Sequence, residues 1–150
     1  MVRNESISPT LFEGLRVIEI SGVVGQQCGK LFADMGADVI KVEPPGGDPS
    51  RKIGPFVNNT PHPEQSLSFW HYNTNKRSVT LDFSTPQGQN IFMNLVRTAE
   101  VVIEDTAPGA LDSLGLGYHE LTAAKSNIIM ASITPFGQTG PYKDFKTSDL

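Results

Sequence analysis

One cysteine, Cys28, stands in a chain of 150 residues. A single thiol excludes an internal disulfide and any zinc site built on cysteines. Long apolar runs are missing as well: none approaches the ~18 residues that a membrane-spanning helix needs. The opening Met1-Val2-Arg3-Asn4-Glu5-Ser6 has no apolar stretch of the kind a secretion signal carries. The sequons at Asn4 and Asn58 therefore carry little weight, and the chain reads as cytoplasmic with no membrane partner. Cations are the minority charge, 12 Lys+Arg against 16 Asp+Glu, for a net charge of −4. Such a balance provides no global basic field, so no nucleic-acid partner is expected, and any polyanion must be held locally by backbone N–H groups and a few placed cations. The histidines, His62, His71 and His119, have no metal-ligand spacing. They read as surface residues, Cys28 as a small core residue, and no metal is expected.

What is present is a strand–helix alternation. The length suffices for one domain burying roughly 68–70% of its unfolded surface. Arg16–Ile20 reads as a buried strand, followed by the turn Ser21-Gly22-Val23-Val24-Gly25. A helix should follow, with Cys28, Leu31, Phe32 and Met35 as its apolar face and Gly36 ending it. Asp38–Val42 is the next strand. Residues 1–14 are polar and read as a flexible arm. Residues 43–68, with six prolines among them, form a long loop of the kind that is functional or mobile in compact domains. The aromatic patch Phe69–Tyr72 reads as packing beneath that loop, and Lys76-Arg77 as cations solvating the start of a strand at Ser78–Asp82. Ser84 with Gln87 makes a capping box for a helix that buries Ile91, Phe92, Leu95 and Val96. Strand Glu100–Glu104, a short helical stretch, a helix over Tyr118–Lys125 and a strand over Ile128–Ile133 complete the pattern.

This alternation predicts an α/β fold: a Rossmann-like, mainly parallel sheet with flanking helices. The ending at Asp149-Leu150, with no helix after the last strand, reads as a cut through a longer, truncated large domain. In such a fold the loops Ser21–Gln26, Glu43–Arg51, Asp82–Thr85, Asp105–Gly109 and Thr134–Lys146 gather at the carboxyl edge of the sheet, where ligands bind.

Glu43, at the end of the second strand, stands where a nicotinamide enzyme places the acid that holds a ribose hydroxyl. The matching first turn needs G-x-G-x-x-G, because a diphosphate must approach the backbone closely. Here Gly22, Gly25 and Gly29 are spaced G-x-x-G-x-x-x-G, and Val23 and Val24 fill the bend. The fingerprint fails, and Glu43 reads as a solvated or structurally paired acid.

Five blocks in order, "GLRVIEISG", "GADVIKVEPPGGDPSR", "NTNKRSVTLD", "VVIEDTAPGALDSLGLGY" and "ASITPFGQTGPY", resemble the family III CoA-transferases, which include formyl-CoA and carnitine-type transferases and α-methylacyl-CoA racemase. The resemblance covers residues 11–149 and implies the N-terminal part of a Rossmann-like, CoA-binding large domain in an interlocked homodimer. It implies acyl-CoA and carboxylic acid as substrates, with coenzyme A passed between acids. No catalytic residue is expected in this chain, the family's nucleophilic aspartate falling beyond Leu150. Carried over by position, the coenzyme contacts fall on Val23, Val24 and Gly25, on Leu81, Phe83 and Ser84, on Asp105 and Thr106, and on Lys146. The resemblance also places Lys76-Arg77 as candidate cations for the 3′-phosphate. Gly137, Gln138 and Gly140 are candidates for a loop near the acyl end, although Gly137–Pro141 also reads as an ordinary turn. Asp105 stands where formyl-type members have asparagine, and Pro44 and Ser113 where they have arginine. Racemases carry a His-Asp pair where this chain has Ser148-Asp149; a serine without a partner base has the wrong pKa for proton abstraction, which favours the transferase. A non-catalytic CoA- or nucleotide-binding module is the alternative from another class.

Overall fold

A computed structural model of the chain describes residues 10–146. Five strands, β1 (Arg16–Ile20), β2 (Asp38–Glu43), β3 (Arg77–Thr80), β4 (Val101–Glu104) and β5 (Ile129–Ser132), form one sheet in the order β3-β2-β1-β4-β5. All four pairings are parallel. The connections carry α1 (Gln26–Asp34), α2 (Leu67–Asn73), α3 (Pro86–Val96), α4 (Ala110–Ser113) and α5 (Tyr118–Ala124). The chain steps outward from β1 to β3, then returns to build β4 and β5 on the other side of β1. That reversal leaves a switch point between β1 and β4 at the carboxyl edge, the place where such sheets leave a crevice.

Alternation along the strands sorts the core into two layers. Ile18, Val42 and Val102 join Phe92 and Val96 of α3 and Leu121 of α5 in one cluster. Val17, Val39, Val101 and Ile103 meet Ala33 of α1 in the other. The α1 face of the sheet turns polar one step further along, because Glu19 and Lys41 follow Val17 and Val39 at period 2 and stand in register with each other.

Several local expectations are corrected. The buried residues of α1 are Gln26, Gly29 and Ala33, whereas Leu31 is 50% and Met35 36% exposed. Cys28 and Phe32 only flank the core as partly buried neighbours. The polar pair beneath α1 selects a small, close-approaching stripe instead of a bulky apolar one. Within the arm, Thr10–Gly14 is docked: the Phe12 amide donates to the Met35 carbonyl at 3.1 Å, and its ring lies 5.2 Å from that of Phe32. The loop after β2 is not featureless either. It holds 3-10 turns at Pro49–Lys52 and Val57–Asn59 and runs into α2, capped by the Ser66 hydroxyl accepting from the Phe69 amide. The cap of α3 is Thr85, which accepts from the Gly88 amide; Ser84 donates instead to Asp82. Of the face expected for α3, Ile91 is exposed.

Candidate functional site

The site rests on a buried polar floor. Glu19 is fully enclosed between two lysines, Lys41 Nζ at 3.0 Å and Lys76 Nζ at 2.7 Å. Lys41 also meets Asp48 at 3.1 Å and donates to the Ser21 carbonyl. Lys76 donates to the Gln26 carbonyl at 2.8 Å and to Asn73 at 3.0 Å. Two carboxylates and two ammoniums cancel, which is the condition for burying charge at tolerable cost. The cluster joins β1, β2, the loop after β2 and the approach to β3, and both lysines grip carbonyls of the β1–α1 turn. Lys76 is thus no solvating cation: its side chain is 1% exposed. Burial pushes its ammonium below the ordinary value, with Glu19 opposing that shift. Arg77, by contrast, is exposed and pairs with Asp38. Cys28 lies beside the same cluster, where burial and then the Glu19 charge push its thiol up, so it is not a poised nucleophile.

Glu43 is paired structurally. Arg51 grips it bidentately at 2.6 and 2.8 Å, Ser78 donates at 2.6 Å and the Asp48 amide at 2.9 Å. Burial alone would raise this carboxyl, but the donors win and hold it at about 2. With every oxygen engaged, nothing remains for a ribose hydroxyl. Arg51 also lies over the buried Phe69 ring, 3.9 Å from its centroid, which accounts for part of the aromatic patch as packing.

The β1–α1 turn is closed by an internal anion. The Asp105 carboxylate accepts from the amides of Gly22 at 2.8 Å, Val24 at 3.1 Å and Gly25 at 2.8 Å. These are the donors that a helix N-terminus offers to a phosphate in dinucleotide-binding folds. Here β4 delivers the anion from within the chain. Val23 and Val24 are left with exposed side chains, 53% and 64%.

Between the ends of β1, β2, β3 and β4 lies a cleft of about 440 Å³. Leu81, Phe83, Ser84, Asp105 and Thr106, brought together from two separate loops, all line it, together with Asp82 and with Pro44 and Pro45 of a third. A neighbouring cleft of about 350 Å³ shares Thr106 and is lined by Gln138 and Lys143. Gln138 is fixed there: its amide nitrogen donates to Glu104 at 3.1 Å, and its oxygen accepts from the Gly109 amide at 3.3 Å. Glu104 is itself buried and accepts from the Thr106 amide and hydroxyl at 2.7 and 2.5 Å. Gly137 and Gly140 both have positive φ, 82° and 96°, as the tight bends around Gln138 require. Val23, Val24, Gly25 and Lys146 line neither cleft; Lys146 is exposed. Ser148-Asp149 lie outside the described residues. Among the described residues, no group of three or more ligating side chains is placed to hold a metal, and no helix is long and apolar enough to cross a membrane.

Sequence reasoning missed Glu19, Lys41, Asp48 and Glu104. The signal was a charged residue inside a run otherwise read as apolar: Glu19 in RVIEI, Lys41 in DVIKVE.

Against known proteins, the profile described as CoA-transferase family III matches residues 12–150. The chain is 47% identical over 140 residues to the succinate–glutarate CoA-transferase of Agrobacterium fabrum, covering 91% of this chain and 35% of that protein. It is 41% identical over 139 residues to the succinyl-CoA:(R)-benzylsuccinate CoA-transferase subunit BbsE of Thauera aromatica, with coverages of 93% and 34%. A CaiB/BaiF family protein from Brucella suis superposes with a TM-score of 0.83 at 42% identity, over 92% of this chain and 37% of that one. The chain spans about a third of the length of these relatives.

Proposed function

This chain belongs to CoA-transferase family III, and from that premise we propose that the intact protein transfers coenzyme A between carboxylic acids, this segment supplying the surface that holds the coenzyme. The observation that carries the reading is the cleft at the switch point. Leu81, Phe83, Ser84, Asp105 and Thr106 reach it from loops far apart in sequence. In this reading Leu81 and Phe83 pack against the adenine and ribose, and Ser84 and Thr106 offer hydroxyls to them. Asp105 and Gly25 shape the turn, and Val23 and Val24 cover the coenzyme from above. Lys146 meets a phosphate, and Gly137, Gln138 and Gly140 border the path toward the acyl group. The nucleophile is a carboxylate beyond Leu150. It attacks the thioester carbonyl to give a mixed anhydride and free CoA thiolate, which returns to form an enzyme thioester as the first acid departs. The second acid then takes the acyl position by the reverse steps, so one difficult transfer becomes several easier ones. An interlocked homodimer goes with this reading on the resemblance, and a cytoplasmic location on the sequence. No metal enters the chemistry.

The intact protein is incubated with succinyl-CoA and a second carboxylic acid, and acyl-CoA species are followed by mass. The reading predicts that CoA appears on the second acid, and that residues 1–150 alone transfer none. Full-rate exchange by the isolated segment would place the nucleophile wrongly, and no exchange by the intact protein would overturn the assignment.

A further inference from the structure

The charges around the switch-point cleft are arranged against a phosphate. Among the described residues, its lining contains no lysine or arginine. The cations that touch its lining are already paired: Lys41 with Glu19 and Asp48 at 3.0 and 3.1 Å, Arg51 with Glu43 at 2.6 Å. Of the four lining carboxylates, Glu43 and Asp48 are paired with those cations, whereas Asp82 and Asp105 accept hydrogen bonds from Ser84 and from the turn amides. Neither forms an ion pair among the described residues. The helix N-terminus that would welcome an anion is already occupied by Asp105. Pro44, Pro45, Leu81 and Phe83 supply apolar walls. A ring and its hydroxyls suit such a lining, whereas a dianion brought beside carboxylates that no cation pairs is repelled.

We propose that the cleft takes the uncharged adenosine face of coenzyme A and gives the ribose 3′-phosphate no attractive contact, so that the protein uses dephospho-CoA thioesters as well as CoA thioesters. This rests on the transferase reading above and adds a specificity to it. A charge-assisted contact to the phosphate would by itself favour the 3′-phosphorylated form by ~10-fold or more.

The test compares kcat/KM of the intact protein for succinyl-CoA and succinyl-dephospho-CoA with one acceptor acid, together with calorimetric binding of CoA and dephospho-CoA. The expected preference for the 3′-phosphorylated form is no more than ~5-fold in both measurements. A larger preference overturns the inference while leaving the transferase reading standing. If neither thioester supports transfer, the transferase reading fails and the binding arm decides alone: matched affinities keep the assignment of the cleft, and a larger loss for dephospho-CoA, or no binding of either, removes it.

Discussion

Gly29→Ala separates the packing account from helix propensity, because the two predict opposite signs. In a helix interior alanine is favoured over glycine by ~1 kcal/mol, so α1 considered alone should be strengthened. The structure forbids the methyl group. A Cβ on Gly29 would lie 1.7 Å from Glu19 Oε2, 2.8 Å from its Cδ and 3.3 Å from Lys76 Nζ. Glu19 cannot swing aside, since lysines hold both of its oxygens. The helix must lift instead, by roughly 1.5 Å or more to restore a normal contact. Lifting loosens the grip of Lys76 on the Gln26 carbonyl and admits water to a buried ion cluster. Overpacking costs ~1–3 kcal/mol and weakening the cluster adds to it, so the net expectation after the propensity gain is a loss of ~2–4 kcal/mol. Equilibrium urea unfolding of the intact protein reads this directly. Gly22→Ala is the control: no atom lies within 4 Å of its added methyl, and its effect should stay within ~0.5 kcal/mol. A Gly29→Ala protein as stable as the parent, or more stable, would refute the close-packed cluster.

The other predictions concern charge. Lys76→Met leaves Glu19 short of a partner in a site with 0% and 1% exposed side chains and should cost ~3–5 kcal/mol, whereas Arg77→Met, at 63% exposure, should cost under ~1 kcal/mol; urea unfolding of both variants compares them. Glu43 is lowered from 4.5 to about 2 in the fold, so its stabilisation is complete above about 4.5 and drains away as the pH falls from there toward 2. The full difference corresponds to ~3 kcal/mol, trimmed to ~2 by the partial exposure of Arg51. Unfolding curves between neutral pH and about 3 should show this loss, and Arg51→Met should flatten it. Asp105→Asn keeps the shape but turns an amide N–H₂ toward backbone donors, with an expected cost of ~1–3 kcal/mol. Amide exchange at Val24 and Gly25 should speed up, while exchange in β5 stays unchanged.

The sheet was legible because its strands are short apolar, β-branched runs separated by turn residues, and its parallel order followed from the intervening helices. The face of α1 was not. Leu31 and Met35 fit a helical stripe as well as Gly29 and Ala33 do, and only the partners across the interface, Glu19 and Lys41, choose between them. Likewise α2 hides behind a proline-rich stretch, since seven residues give too little periodicity to register. The resemblance named cleft residues that the fold does bring together at Leu81, Phe83, Ser84, Asp105 and Thr106. It gave no hint that Asp105 is engaged by three amides, or that Lys76 is buried under α1. Both facts depend on distances between segments far apart in the chain, which spacing along the sequence does not encode.

A crystal structure of the intact protein with CoA bound would show whether the carboxyl-edge cleft between β1, β2, β3 and β4 holds the coenzyme. The adenosine is expected between Leu81, Phe83 and Thr106, with Asp105 still bonded to the amides of Gly22 and Gly25. Coenzyme density away from this edge of the sheet, or a phosphate displacing Asp105 from the turn, would contradict it.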